Sequence, residues 1–427
     1  MIINNLQAKR LELLFKYLNN NNFYWNKKLS AAKFDKLGNI KDVFCKLEIT
    51  TKKEILENFY SYLDVSFTSL VRNEDLLEDV SNISKLTKNH DRFLHNGYVV
   101  EMTSGTTGIP FPVIKSQNER FIAANQLLHQ RKGHYSGANI KNGFLLAHEV
   151  DEKLKNINFY DENYDMSDIV NYFIFKKPKW MFVTANTLRR FVNAVNVNGY
   201  YENVHNIGVE FIEVTSAPLS FSEKKDIESM FNSKIVNQYG CREVWNIAYE
   251  CKCGKMHIND NVLVELVDEH GNFINEDNKV GEVVITSLVN KTTPIIRYYL
   301  GDLARINNEK CECGLKTPVI ILEGGRKSEI LKNTNYFGSQ VFRKVLRALN
   351  FSKGVKYDKI KIVQDGEFHI TIYIKNCNDN LNFEKAFINV ANTIIENFEQ
   401  FNINFIYNYP FKNEKNFLKE QLFICKV

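Results

Sequence analysis

At residues 103–110 the chain reads Thr103-Ser104-Gly105-Thr106-Thr107-Gly108-Ile109-Pro110. The stretch has too few apolar side chains to pack a core, and its two glycines allow positive φ and a close backbone approach to a ligand. Its hydroxyls lie beside backbone N–H groups, which is typical of an anion-binding loop. A β-like run precedes it at residues 98–102, and Pro110 and Pro112 exclude a helix directly after it. We therefore predict a phosphate-binding loop between two strands.

Two better-known phosphate motifs are excluded here. The Walker A loop needs Gly-x-x-x-x-Gly-Lys-Ser/Thr at the start of a helix, and the dinucleotide fingerprint needs Gly-x-Gly-x-x-Gly. A polar hairpin turn without any ligand stays open as a second interpretation, because Gly/Thr clusters mark turns in many proteins. The rest of the chain has to decide between the two.

The composition is that of an ordinary globular protein. A chain of 427 residues with 44% hydrophobic content suffices for two or three domains with cores of their own. The formal charge of +5 is small, and the lysines are scattered among acids, so neither a nucleic-acid groove nor a membrane surface is indicated. We find no secretory leader and no apolar run near 18 residues, so we expect a cytoplasmic protein. The sequence does not identify the oligomeric state, monomer or homodimer.

Hydrophobic periodicity predicts an α/β fold. Residues 1–90 look helical, residues 99–260 alternate strands with helices, and residues 261–326 are β-rich. These parts form a large domain, residues 1–326, of helix-covered, mostly parallel sheets with a small β-rich sheet beside them. Residues 327–427 predict a small, mobile α+β domain.

Some individual elements are predicted as well. Helices are expected at residues 6–18, 52–65, 73–86, 339–349 and 382–399, and strands of the β-rich part at residues 262–267, 281–288 and 295–299. A hairpin is expected around the Asp365-Gly366 turn.

Three later stretches carry side chains that suit a nucleotide. The run Gln-Tyr-Gly-Cys-Arg-Glu follows a strand, so Tyr239, Gly240 and Glu243 lie at a carboxyl end, where open α/β sheets bind ligands. Asp302 follows a turn glycine, and a fixed carboxylate can accept two hydrogen bonds from a ribose diol. Arg326 stands at the predicted domain boundary. Taken alone, each residue also fits a structural role without a ligand, such as a core ring, a turn carboxylate or a surface ion pair.

In this order the four stretches resemble the signature of the adenylate-forming superfamily, which comprises acyl-CoA synthetases, peptide adenylation domains and luciferases. The phenylacetate-CoA ligase and CapK branch is the most similar. Counterparts of that branch's other motifs lie at residues 47–52, 257–260, 264–267, 281–288, 294–298 and 311–314. The resemblance is dense at residues 99–110 and 234–332 and thin elsewhere.

The resemblance implies a two-step reaction. A carboxylate attacks the α-phosphate of ATP and expels pyrophosphate, and the acyl-adenylate is then attacked by the thiol of CoA or of a carrier-protein phosphopantetheine. Both first reactants are anions, so catalysis is mainly positioning and charge neutralisation. There are two alternatives. One is an amide-forming ligase with an amine acceptor, and the other is a nucleotide-binding protein that is stabilised by zinc and has no catalytic activity.

The resemblance also implies a role for each site residue. Residues 103–108 would hold the β- and γ-phosphates with backbone N–H groups and hydroxyls. Tyr239 would stack on the adenine, Asp302 would anchor the ribose, and Arg326 would reach the ribose or a phosphate. Glu243 would hold Mg²⁺, which offsets the charge of the phosphates.

The C-terminal domain of such enzymes rotates between the two steps and presents a lysine for adenylation. The resemblance puts the hinge at Lys327 and Ser328. Lys415 lies at the expected distance from the end, but the usual preceding glycine is absent and Lys412 and Lys419 are close.

Two positions depart from the family pattern. Ser328 stands where the family usually has Asp or Lys. Ile109 stands where many members have a lysine after the second loop glycine, so one positive contact to pyrophosphate is missing. The loop should therefore grip phosphate through its backbone and hydroxyls.

Two matching Cys-x-Cys-Gly pairs flank the β-rich part: Cys251 with Cys253, and Cys311 with Cys313. Disulfides are rare in the cytosol, whereas four thiolates suit a closed tetrahedral Zn²⁺ site. We predict a structural zinc on these four cysteines, with His257 able to replace one of them. Free buried thiols and a redox pair are the other interpretations.

The acid substrate is not identified by the sequence. Residues 111–236 should build most of the acyl pocket, and the resemblance is thin there. Biosynthesis of capsule, cell wall or a secondary metabolite fits as well as aromatic catabolism.

Overall fold

The computed structural model describes residues 3–34, 40–71, 92–95, 97–103, 111–146, 164–352, 357, 359–411 and 422–427. Some sequence predictions lie outside these ranges: Ser104, Gly105, Thr106, Thr107, Gly108, Ile109, the helix at residues 73–86, and Lys415 with Lys412 and Lys419.

The chain begins with helices that pack on a shared apolar face. Helix α1 (Asn5–Asn21) starts at Asn4, whose side chain forms a capping box with Gln7, and it buries an apolar stripe at helical spacing. The shorter helices that follow are α2 (Phe23–Ala31), α3 (Ile40–Lys46), α4 (Lys52–Glu57), α5 (Phe59–Tyr62) and α6 (Val65–Val71).

The single helix predicted at residues 52–65 is wrong, because the chain breaks twice in that stretch. The second break has a clear cause at Asp64. Its backbone N–H donates to the carbonyl of Thr292 at 3.0 Å, and its carboxylate accepts from the N–H of Ser66 at 2.8 Å. The link to Thr292 holds Asp64 outside a helix, and the Asp64 side chain begins α6 instead.

A small antiparallel sheet confirms the predicted strand-loop-strand unit. Strands β1 (Arg92–His95), β2 (Tyr98–Met102) and β3 (Pro112–Ser116) are paired in that order. Met102 is opposite Pro112, so the predicted phosphate loop connects β2 and β3 in a hairpin.

The central sheet confirms the α/β fold class. Its parallel strands are β4 (Gly143–Leu145), β5 (Trp180–Thr184), β6 (Phe211–Thr215) and β7 (Lys234–Tyr239). The helices around them are α7 (Gln117–His134), α8 (Ser167–Lys176), α9 (Ala185–Val197), α10 (Tyr201–His205) and α11 (Phe221–Phe231).

Alternate side chains of these strands point to opposite faces of the sheet. Trp180 and Phe182 pack with Leu127 of α7 on one face. Met181 and Val183 pack on the other face with the core of α8 to α11. The parallel strands are therefore covered by helices on both faces.

The β-rich part does not form the separate small sheet that was predicted. Its strands continue the parallel sheet in the order β10-β11-β12-β13-β9-β8-β7-β6-β5-β4. The cause is the hairpin β8–β9, which pairs with β7 on one side and with β13 on the other. These antiparallel strands are β8 (Ala248–Glu250), β9 (Met256–Ile258), β10 (Val262–Val267), β11 (Gly281–Ser287), β12 (Tyr298–Asn307) and β13 (Val319–Arg326).

One predicted strand of that part, residues 295–299, begins later than expected. Strand β12 starts at Tyr298, because Arg297 has a left-handed backbone with φ of 44°. The conformation turns the chain at the point where the N-terminal helices meet the sheet.

The C-terminal part has a four-stranded sheet and a core of its own, around Phe342, Phe383 and Phe387. The predicted hairpin at residues 365–366 is confirmed, whereas the second predicted helix ends at Ile394 rather than near residue 399. The domain boundary near Lys327 stays a prediction. The elements are α12 (Gly338–Ser352), β14 (Lys359–Gly366), β15 (His369–Lys375), α13 (Asn380–Ile394), β16 (Asn402–Ile406) and β17 (Phe423–Cys425).

No helix among the described residues has the length and apolar character needed to cross a membrane.

Candidate active site

Three of the predicted nucleotide ligands meet at the carboxyl end of β7. Asp302 in β12 lies directly opposite Arg326 in β13, and Tyr239 is the last residue of β7. The Tyr239 hydroxyl donates to Asp302 Oδ2 at 2.7 Å, and Arg326 Nε donates to Asp302 Oδ1 at 3.2 Å. The side chains of Asp302 and Arg326 are each 26% exposed, so a ligand can reach them.

The electrostatics of this cluster determine which side chains donate hydrogen bonds and which accept them. Burial, reinforced by Asp302, raises the pKa of Tyr239 well above its ordinary value, so the phenol keeps its proton. Burial alone would lower the pKa of Arg326, but the attraction of Asp302 outweighs it and the pKa is raised. Each oxygen of Asp302 therefore accepts from one protein donor. A carboxylate offers about four acceptor positions, so it can still accept from a ribose.

Glu243 lies close by and is 6% exposed. The Tyr298 hydroxyl donates to its Oε1 at 3.0 Å, and the Asn290 side chain donates to its backbone carbonyl at 2.8 Å. Burial, then the charge of Glu243, raises the pKa of Tyr298, which stays a donor. A buried carboxylate with a neutral partner suits a cation ligand.

Gly240 shapes the turn between these residues. A Cβ built on Gly240 would lie 1.9 Å from the backbone oxygen of Trp245. The chain can therefore fold back from β7 only because this residue is glycine. Gly240 acts through the backbone path that carries Glu243.

Lys52 also lies beside this cluster, although its sequence motif predicted no role for it. Its ammonium interacts electrostatically with Glu243 and Arg326, and it lies 6.0 Å from the ring centroid of Phe111, at the end of the quoted loop. Burial lowers the pKa of Lys52; the charge of Glu243 opposes this shift, and the smaller effect of Arg326 adds to it.

Long-range backbone pairing puts Lys52 at this place. Thr50 donates to the carbonyl of Arg297 at 2.8 Å and accepts from the N–H of Tyr299 at 3.0 Å, which forms a parallel bridge to β12. The motif at residues 47–52 was the one available signal, and it gave no reason to expect a lysine beside Glu243.

Thr103 closes the neck of the loop. Its N–H donates to the carbonyl of Phe111 at 3.0 Å, and its hydroxyl oxygen accepts from the N–H of Phe111 at 3.0 Å. The Thr103 hydroxyl thus has a structural bond in addition to the phosphate contact expected of it.

The predicted hinge follows β13 directly. Lys327 and Ser328 lie in a 3₁₀ turn, Lys327–Glu329, and Lys327 Nζ is 3.7 Å from a carboxylate oxygen of Glu269. Their hinge role stays a prediction.

The structure also brings together four soft ligands from the two cysteine pairs and β9. The sulfur of Cys251 is 3.8 Å from that of Cys311, and Cys313 Sγ is 3.4 Å from His257 Nε2. All four ligand atoms lie within 4.8 Å of one another. A tetrahedral zinc with Zn–S bonds of about 2.3 Å separates two sulfurs by about 3.8 Å.

His257 is oriented as a metal ligand requires. Its Nδ1 is 2.9 Å from the carbonyl of Thr317, a bond that leaves Nε2 facing the thiols. Cys253 lies near Cys311 but is exposed and outside the set of four. The geometry therefore favours three cysteines and His257 over four cysteines.

Comparison with known proteins gives a consistent result. No profile of a known protein family matches the chain. The chain is 28% identical over 113 residues to a phenylacetate-coenzyme A ligase of Thermus thermophilus, which is 25% of this chain and 25% of that protein. It is 23% identical over 397 residues to the protein CapK of Staphylococcus aureus, which is 88% of this chain and 78% of that protein.

A solved structure extends the likeness to almost the whole fold. The chain matches 2-hydroxyisobutyryl-CoA ligase, in the postadenylation state in complex with 2-HIB-AMP, with a TM-score of 0.67. The identity is 15%, and the match covers 98% of this chain and 90% of that one. The two chains therefore share a fold that includes the C-terminal part.

Proposed function

We propose that the chain is a member of the adenylate-forming superfamily and an ATP-dependent ligase that activates a small carboxylic acid. The acid would become an acyl-adenylate with release of pyrophosphate, and the acyl group would then pass to the thiol of CoA. The observation that carries this proposal is the convergence of Tyr239, Asp302 and Arg326 beside Glu243.

Asp302 is the centre of nucleotide recognition in this proposal. Its oxygens are oriented by the Tyr239 hydroxyl and the Arg326 guanidinium, and its free acceptor positions would receive the ribose hydroxyls. A ribose bound here would bring the α-phosphate toward Glu243. The Tyr239 ring would support the adenine.

Charge neutralisation would come from three groups. Glu243 would hold Mg²⁺, which supplies positive charge to the triphosphate when bound. Lys52 would add its ammonium next to Glu243, and Arg326 its guanidinium. In this account Lys52 provides the positive contact that Ile109 does not.

The acceptor and the domain motion are parts of the same proposal. The Thermus thermophilus relative and the matched solved structure are named coenzyme A ligases, which favours CoA over a carrier-protein phosphopantetheine as the acceptor. The C-terminal part would turn about Lys327 and Ser328 and present Lys415 during adenylation.

We further propose a structural Zn²⁺ on Cys251, His257, Cys311 and Cys313. Three thiolates and one imidazole form a donor set typical of closed zinc sites. The ion would tie the β8–β9 hairpin to the turn between β12 and β13 and would take no part in the chemistry.

Exchange of labelled pyrophosphate into ATP tests the proposal, with a panel of aromatic, aliphatic and hydroxy acids that includes phenylacetate and 2-hydroxyisobutyrate. We expect at least one acid to support exchange. CoA and a phosphopantetheinylated carrier protein, added separately, then identify the acceptor by thioester formation. Tight ATP binding with no exchange for any acid would favour a nucleotide-binding protein without catalysis.

A further inference from the structure

A buried ion pair lies at the base of the hairpin that carries the quoted loop. Lys115 Nζ donates to Glu101 Oε2 at 2.8 Å, and the two residues are 2% and 0% exposed. In the hairpin Glu101 is paired with Val113 and Lys115 with Val99, so the two side chains are diagonal neighbours on one face. That face is turned toward the segment between β7 and β8.

The pair contacts that segment on both sides of Glu243. Lys115 Nζ donates to the carbonyl of Arg242 at 2.6 Å, one residue before Glu243. The Trp245 indole N–H donates to Glu101 Oε2 at 2.6 Å, two residues after it. Lys115 also lies 5.4 Å from the Trp245 ring centroid, within reach of a cation–π contact. Glu243 is therefore bracketed by bonds from β2 and β3.

Trp245 holds an unusual conformation at this contact. Its φ is 63°, in a left-handed region that bulky residues rarely enter. Such strain persists only where surrounding contacts over-determine it, and it concentrates at functional sites. The bond from its indole to Glu101 is one of those contacts.

Stability alone does not account for such a pair. Burying two charges costs about as much as their attraction returns, and apolar residues of similar volume often stabilise a protein equally well. What an apolar pair cannot do is donate to the Arg242 carbonyl and accept from the Trp245 indole. The particular contribution of Glu101 and Lys115 is therefore geometric.

We propose that Glu101 and Lys115 are positioning residues that set the place of Glu243 relative to the neck of the phosphate loop at Thr103 and Phe111. The inference rests on the proposed function, because it concerns how the two halves of a magnesium-triphosphate site meet. Glu101 and Lys115 would thereby affect binding of the β- and γ-phosphates and of the cation. They would not affect the adenosine contacts at Asp302.

The test compares the affinities for MgATP and AMP by isothermal titration calorimetry, without any acid present. In Glu101→Leu/Lys115→Met we expect MgATP to bind about tenfold more weakly or worse, since a misplacement near 1 Å can cost a hundredfold at an active site. AMP lacks the outer phosphates, so its affinity should stay within twofold. The melting temperature should fall by a few degrees, because the Arg242 carbonyl and the Trp245 indole lose these partners, so the titrations are run at a temperature at which the variant is folded.

The chain contains a matched control in a second buried ion pair. Arg131 Nε and Nη2 donate to the Glu213 carboxylate at 2.6 and 2.9 Å, between α7 and β6. Arg131→Met/Glu213→Leu should leave the affinity ratio of MgATP to AMP unchanged. If this control does not fold, Arg189→Met, which breaks the pair with Glu223, takes its place.

The outcomes separate the two proposals. Equal loss of MgATP and AMP affinity, an unchanged MgATP affinity, or the same ratio change in the control overturns the positioning role. If the double variant does not fold, Glu101→Gln decides, with at least a threefold selective loss of MgATP affinity expected and no loss overturning the role. A wild-type protein that binds neither nucleotide contradicts the proposed function itself.

Discussion

The hairpin β12–β13 carries two polar clusters, one at each end, and they are built differently. At the open end Asp302 and Arg326 face each other across the strands, with Tyr239 beside them. At the turn end Cys311 and Cys313 meet partners from the β8–β9 hairpin. At a rise of about 3.4 Å per residue, the stretch from Asp302 to Asn307, where β12 ends, spans about 17 Å.

The difference lies in what completes each cluster. At the open end, among the described residues, Asp302 and Arg326 pair with each other and Tyr239 donates to Asp302, so this part of the site is formed without a ligand. At the turn end the ligand atoms approach one another at distances that a shared metal ion explains. One cluster should therefore control reaction rate and the other stability, although one hairpin connects them.

The largest effect is expected at the buried carboxylate of the open end. Glu243→Gln removes the negative charge that would hold Mg²⁺ and keeps the size of the side chain. Pyrophosphate exchange should fall at least a hundredfold, about 2.7 kcal/mol of barrier. Glu282→Gln is the control, since that carboxylate is a surface partner of Tyr299. A Glu243 variant within tenfold of wild type would remove Glu243 from the mechanism.

The turn end should respond in stability. Cys311→Ser should lose the bound zinc and lower the melting temperature by about 5 °C, because the free energy of metal binding contributes to folding. At 20 °C its exchange rate should stay within threefold of wild type. Melting curves and metal analysis are the measurements.

Cys253→Ser sharpens the ligand assignment. It should keep a full equivalent of zinc, since Cys253 lies outside the set of four, and His257→Gln should lose it. The opposite pattern would restore the four-cysteine site that the sequence predicts. Zinc absent from the wild-type protein would contradict the site altogether.

A smaller effect is expected at Lys52. Lys52→Met should raise KM for ATP about tenfold, equivalent to about 1.4 kcal/mol, with kcat nearly unchanged, because a positive charge near the triphosphate is lost. Lys52→Arg should return KM for ATP most of the way to the wild-type value. The matched control is Lys53→Met, whose side chain is 84% exposed and pairs with Glu57. If both lysine variants gave the same KM, Lys52 would have no part in binding ATP.

The smallest effect is a pH dependence from the same residue. Burial lowers the pKa of Lys52, so its ammonium loses the proton at a lower pH than an ordinary lysine, whose pKa is about 10.4. The kcat/KM for ATP should hold below that lowered pKa and fall as pH rises through it. In Lys52→Arg the alkaline fall should disappear, since arginine keeps its charge. Profiles between pH 7 and 10.5 that coincide for both proteins would contradict this origin.

The sequence predicted most of what local patterns encode. The alternation of strands and helices over residues 99–260 follows from hydrophobic periodicity, and sequence motifs single out Tyr239, Asp302 and Arg326, which the structure brings together. The features that could not be predicted from the sequence depend on contacts between distant parts of the chain. Lys52 is placed by Thr50 pairing with β12, about 250 residues away in sequence.

Three further features of the structure depend on the same kind of long-range contact. The β-rich part joins the main sheet through the β8–β9 hairpin, a pairing that no spacing within either part reveals. The Glu101–Lys115 pair lies in strands whose charged residues would ordinarily be assigned to the solvent face. Spacing alone likewise could not choose between Cys253 and His257 as a ligand.

The most direct test of the central claim asks whether Asp302 binds the ribose hydroxyls of ATP. Binding of ATP and of 2′,3′-dideoxy-ATP is measured for wild type and for Asp302→Ala. A site built to bond hydroxyls rejects a ligand that lacks them, so wild type should prefer ATP at least tenfold, and Asp302→Ala should bind both weakly and equally. Equal binding of the two nucleotides by the wild-type protein would contradict the account.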